Sequence, residues 1–62
     1  MVYTYEELKK IVDDDWNSLS DEARLRWYNN PSPTFEMYVL GLIKEGDTVR
    51  IDHAEHTYEK IN

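Results

Sequence analysis

Sixty-two residues without a cysteine leave room for one small domain (1–62), with no disulfide and no thiolate metal site. Thirteen acidic against seven basic side chains give a net charge of −6, which argues against direct binding to DNA, RNA or an anionic membrane, since those surfaces need clustered Lys and Arg. Residues 1–7 show neither a basic nor an apolar leader, and the longest apolar run, 35–43, falls short of the about 20 residues a membrane span needs, so a soluble, cytoplasmic domain is expected.

The chain opens on a helix signal. Thr4 followed three residues later by Glu7 is a capping box, which predicts a helix from about Tyr5. Glu6 and Glu7 precede Lys9 and Lys10 at spacings of three and four, a modest support. Tyr5, Leu8, Ile11, Val12, Trp16 and Leu19 form one apolar stripe. Asp13, Asp14 and Asp15 fall in the second half, where the helix dipole disfavours anions. Either local propensity is overridden there or the helix ends near Asn17. Local rules tend to be broken at functional sites, which makes the triplet a candidate.

Ser20, with Asp21 and Glu22 in the first turn, starts a second helix that runs to about Tyr28. Ala23 and Trp27 share a face with Leu19, Leu25 and Tyr28 share another, and Arg24 and Arg26 are expected to face solvent. The stretch Trp16-Asn17-Ser18-Leu19-Ser20-Asp21-Glu22-Ala23-Arg24 resembles the W-x-x-L-S-x-E-E opening of a helix in HMG-box proteins, with Ala23 in place of the last Glu. That resemblance implies a strongly basic domain bound in the DNA minor groove. It spans under a sixth of the chain, the shared pattern is mostly helix capping, and the acidity of this chain keeps the function from being carried over.

Asn29-Asn30-Pro31-Ser32-Pro33 then stops the helix, because neither a proline nor the residue before it continues one. In the run that follows, Phe35, Tyr38, Val39, Leu42 and Ile43 share one helical face, and Met37 and Leu40 add a second apolar edge. This predicts a central buried helix over 33–45, capped by Ser32 with Pro33 in first position (Thr34 is the alternative cap) and stopped by Gly46. Trp16, Trp27, Phe35, Tyr38 and Tyr58 are expected in the core, and Tyr3, Tyr5 and Tyr28 partly exposed.

Thr48–Asp52 alternates and is β-branched, which predicts a strand. Residues 57–61 return as a second strand across a turn at His53-Ala54-Glu55, or residues 53–61 form a helix capped by Asp52. The expected fold is therefore mainly α within the α+β class: a small three-helix domain with a central buried helix 33–45 and a short C-terminal β-hairpin, the alternative being a strand plus a fourth helix. Helix–helix–helix–hairpin is the element order of a winged-helix module. A DNA-reading winged helix turns a polar, basic third helix outward, whereas this one is apolar.

His53 and His56, with Asp52, Glu55 and Glu59, form a ligand-rich tail. On a helix the histidines at i, i+3 could hold a metal; on a hairpin they flank a solvated turn, with a pH role open to them because His titrates near neutrality. No metal-binding helix motif and no Gly-rich phosphate loop accompany them. Ser18 and Ser20 lack His and Asp partners. No catalytic residue, cofactor or metal is assigned. The acid clusters at 13–15 and 45–47 point to a non-enzymatic protein-binding module whose acidic face (Asp13, Asp14, Asp15, Asp21 and Glu22, with Tyr28) meets a basic partner. In its sharper form it is an inhibitor that mimics nucleic-acid charge against a DNA- or RNA-binding protein, as small viral and mobile-element proteins do. The alternative is a homo-oligomeric structural or assembly subunit, such as a homodimer, that uses the apolar helix 35–43.

Overall fold

A computed structural model describes all residues, 1–62. The element order is β1 (Val2–Thr4), α1 (Tyr5–Ser18), α2 (Asp21–Asn29), α3 (Phe35–Leu40), β2 (Thr48–Asp52) and β3 (Thr57–Lys60). The domain is α+β: three helices and a three-stranded antiparallel sheet in the order β1-β2-β3. The predicted hairpin is present, with Ile51 opposite Tyr58 and Arg50 opposite Glu59. A third strand joins it, since Tyr3 pairs with Val49 and Val2 with Arg50.

Local chemistry sets the starts of the helices. At α1 the Glu7 amide donates to Thr4 Oγ1 at 3.1 Å and the Thr4 amide donates to Glu7 Oε1 at 2.9 Å, the reciprocal capping box. Ser20 caps α2 through the Ala23 amide. At α3 the cap is Thr34, which accepts from the Met37 amide, so Pro31, Ser32 and Pro33 lie wholly outside the helix. The hairpin loop is closed by Asp52, whose Oδ1 accepts from the amides of Ala54 and Glu55. His56 then takes φ 54°, a left-handed conformation that His tolerates better than most residues, and the chain turns without an Asn-Gly pair.

The core is small and lies between the sheet, the first half of α1 and α3. Leu8, Val39, Val49 and Ile51 are sealed from water, with Tyr3, Phe35, Leu40 and Ile43 packed against them. Each fully buried aliphatic side chain contributes about 1.5–3 kcal/mol. Val49 and Ile51 alternate with exposed Arg50 and Asp52, so the sheet is covered on one face and solvated on the other.

The expected central helix over 33–45 is replaced by a shorter one. The α-helix α3 spans Phe35–Leu40 only, and Val39 is its one fully buried residue. Tyr38 is 56% exposed and Leu42 53%. The helix ends at Leu40 with Gly41 as its cap, and the Leu42 amide then bonds back three residues to the Val39 carbonyl in a tighter turn. The chain must then reverse to bring β2 alongside β1, and Asp47 makes that reversal. Its carboxylate accepts from the Lys44 amide at 3.0 Å, while its own amide donates to the Lys44 carbonyl. Gly46 sits inside this turn at φ 97°, a conformation that favours glycine, rather than stopping a helix. The Asp47 carbonyl also accepts from the Tyr5 amide at the start of α1, and its carboxylate lies 3.6 Å from Lys60 Nζ. At 8% exposure Asp47 is therefore a hub of the fold and not part of an acidic surface.

Candidate functional site

The second half of α1 and all of α2 make a different kind of region. No residue of α2 is buried, and α2 packs sparsely on the other elements. The molecule is correspondingly long, with a radius of gyration of 12.6 Å and extents of 38 × 23 × 16 Å, where a domain of this length packs to about 10.6 Å.

Arg24 joins α2 to α1. Its Nε donates to the Trp16 carbonyl and its Nη2 to the Asn17 carbonyl, both at 3.2 Å, while Nη1 donates to Asp21 at 2.9 Å. The side chain is 28% exposed and does not face solvent, as spacing alone had suggested. The last turn of α1 contains no basic residue, so a guanidinium from the next helix satisfies its terminal carbonyls and offsets its negative end. This clamp sets the angle at which α2 leaves α1.

That angle brings three rings together. Trp16 and Trp27 meet edge to face at 5.4 Å, and Tyr28 packs edge-on against Trp16 at 5.5 Å and Trp27 at 5.9 Å. Trp16 and Trp27, expected in the core, are only half-buried and stand apart from it. Tyr38 and Tyr58 also stay out of the core; they flank Phe35, which packs on it, while Tyr3 is partly exposed as expected and packs against the core as well. The two indoles line a cleft of about 380 Å³, the single cavity of the molecule, together with Val12, Asp15, Leu19 and Met37.

The acidic residues divide. Asp13 pairs with Lys9 at 2.9 Å and Asp14 with Lys10 at 3.0 Å. The Asp13 carboxylate, by hydrogen bond and then by charge, holds the Lys9 ammonium above its ordinary pKa. Asp21 pairs with Arg24, and Glu22 lies 3.9 Å from Arg26. The predicted Glu6 and Glu7 partners are not used, as the lysines reach forward along α1. Such exposed pairs contribute only about 0.2–1 kcal/mol, so a partner's cations can exchange into them. Asp15 alone of the triplet forms no ion pair, and it lines the cleft. Of the six predicted contact residues, Asp15 and Tyr28 meet the aromatic cluster and the other four carry their own counter-ions. Sequence reasoning missed Trp16, Trp27 and Arg24. The available signal was the thin apolar face of α2, Ala23 and Trp27, too narrow to seat a helix on a core.

At the opposite end, the histidines pack against α3. His53 Nε2 lies 2.6 Å from Glu36 Oε1, and the His56 ring stacks on Phe35 at 5.8 Å. Burial works to raise the Glu36 pKa, but its own backbone amide and the His53 side chain together outweigh that and hold it below the ordinary carboxylate value. No three carboxylate or imidazole groups converge on a point where a metal ion could sit. Ser18 Oγ donates to the Asp15 carbonyl and Ser20 Oγ caps α2, so both hydroxyls have structural partners. No helix is long and apolar enough to cross a membrane.

No protein-family model matches this chain, and neither the curated proteins nor the solved structures include one with significant similarity to it.

Proposed function

We propose that the protein is a non-enzymatic binding module that presents the α1–α2 surface to a basic protein partner, and that it acts as an acidic, nucleic-acid-mimicking inhibitor of a DNA- or RNA-binding protein. The observation that carries this is the cluster of Trp16, Trp27 and Tyr28 outside the core of a domain that has very little core. A small chain stabilises itself most by burying its largest rings, and here Trp27 and Tyr28 lie on a helix with no buried residue and meet Trp16 near the end of α1, among exchangeable acidic pairs. Trp and Tyr are the side chains that dominate protein interfaces, and surrounding acids steer a cationic partner. A net charge of −6 spread along an elongated body suits imitation of a charged backbone.

The test is affinity for a panel of nucleic-acid-binding proteins measured against salt. Affinity should fall between low and high ionic strength as the charges are screened. Affinity that does not fall removes this function, and an unchanged affinity on joint replacement of Asp13, Asp14 and Asp15 by Asn removes those residues from the surface.

Tyr38 and Leu42 support a second function, since both are more than half exposed at i, i+4 beside the core. A second copy docked there would make the protein a homo-oligomeric subunit. Because each chain carries −6, that association should strengthen with salt, the opposite of the first case. A monomeric mass in sedimentation at high concentration and high salt excludes it.

A further inference from the structure

We propose that the cleft between α1, α2 and the segment leading into α3 receives an arginine side chain of the basic partner, with Asp15 as its counter-ion and the indoles of Trp16 and Trp27 as its aromatic walls; this rests on the binding-module function above. The occupant follows from four features. The first is size: about 380 Å³ lies near the lower end of ordinary ligand pockets, room for one or two side chains. The second is the wall. Both indoles line the cleft at 80° to one another, so they form a corner and not a flat slab, and a guanidinium within about 6 Å of an indole face gains cation–π attraction.

The third is charge. Asp15 borders this apolar space without a cation of its own, whereas Asp13 and Asp14 have theirs. An apolar occupant would strip water from Asp15 and leave it unpaired, which is costly, and an anionic occupant would be repelled. Arg24, which bonds to the end of the same helix, is already engaged by Asp21 and two carbonyls. The fourth concerns the source. Arg24 is held at the α1–α2 junction by three hydrogen bonds, and a second copy, the source of any other Arg26 or Arg50, brings a further −6 that opposes its approach, so the arginine comes from another protein. Arginine is favoured over lysine because its planar, weakly hydrated head stacks on rings and still meets a carboxylate.

Trp16 and Trp27 are the chain's two tryptophans, so their two indole N–H resonances both report the cleft. A hexa-arginine peptide should shift both, a hexa-citrulline peptide of the same shape neither, and a hexa-lysine peptide should bind more weakly. Asp15→Asn should weaken the arginine peptide by about threefold or more without loss of folding. Trp27→Phe, which keeps a ring in place, should weaken it less than Asp15→Asn does. Hexa-arginine binding that leaves both indoles unmoved and is unaffected by Asp15→Asn overturns the cleft while leaving the acidic-face function intact. Citrulline binding as tight as arginine binding overturns it too, because the cleft would then be an uncharged pocket. If hexa-arginine fails to bind but a nucleic-acid-binding protein binds in a salt-sensitive way, the arginine receptor falls and the module stands; failure of both removes both.

Discussion

The two ends of this molecule are held together by different forces. At the sheet end, Leu8, Val39, Val49 and Ile51 are sealed from water, and Asp47 ties α1, the α3–β2 turn and β3 to one carboxylate and its backbone. At the α2 end nothing is fully buried; three rings touch by their edges and one guanidinium spans the junction. Each end also has its own aromatic cluster. Phe35 packs on the core beside Tyr38, His56 and Tyr58, whereas Trp16, Trp27 and Tyr28 have only one another and the cleft. The larger rings are thus where they stabilise the fold less. The sheet end holds the sealed core, and under the proposed function the α2 end is the one that meets the partner.

The largest break in that comparison comes from truncation at each end. Leu8→Ala opens a cavity beneath three other sealed side chains and should cost about 2–5 kcal/mol, enough to unfold most molecules of a domain this small. Trp27→Ala removes far more atoms but leaves a site open to water, so it should cost less than Leu8→Ala, about 1–2 kcal/mol. Urea unfolding of both variants checks the order; a costlier Trp27→Ala would mean that the α2 end is a second core.

The clamp comes next. Arg24→Ala takes the side-chain donor from the Asn17 carbonyl, leaves the Trp16 carbonyl with the Leu19 amide alone, and removes the one cation at the end of α1. It should cost about 1–2 kcal/mol and loosen the aromatic cluster, visible as averaging of the two indole signals. Arg24→Lys keeps the charge and loses the fork, so it should recover only part of the stability.

Acid should act on the sheet end first. Burial works to raise the Glu36 pKa, but its backbone amide and His53 hold it below its ordinary value. Asp47 is held low chiefly by the Lys44 amide, with burial opposing and the Lys60 charge adding to it. For a carboxylate lowered on folding, the stabilisation is complete above the unfolded pKa and is lost as pH falls through the folded one. Stability should therefore hold near neutrality and decline only below the ordinary carboxylate range. Amide exchange should show β2, β3 and α3 opening together. Glu36→Gln should flatten this decline in part.

The same contrast explains what could be read from the chain. Thr4–Glu7, Ser20 and the alternation of Thr48–Asp52 are local signals, and they give the helix starts and the hairpin. Strand β1 has three residues, and it exists because Val49 and Arg50, nearly fifty positions away, pair with it. The apolar run at 35–43 shows helical periodicity, but the length of α3 is set by the need to return the chain to β1, through Asp47. At the site, the acids were legible as charge. Which of them keep their own cations depends on side-chain reach, forward along α1 for Lys9 and Lys10, and the meeting of Trp16 with Trp27 and Tyr28 depends on how Arg24 joins α2 to α1.

Asp15→Asn should produce a smaller change in stability than truncation of Leu8, Trp27 or Arg24, and it bears most directly on the division of labour. Asp15 lies near the C-terminal end of α1, where the helix dipole disfavours an anion, and no lysine or arginine compensates it. Neutralising it should raise stability by about 0.3–1 kcal/mol. The matched changes Asp13→Asn and Asp14→Asn each remove an ion pair along with the adverse charge, so their effects should lie nearer zero. If Asp15→Asn is the stabilising member of the three and also the one that weakens capture of an arginine peptide, the residue is kept at a cost to the fold for what it binds. If it stabilises and binding is unchanged, the α2 end is loosely packed for a reason other than recognition through the cleft.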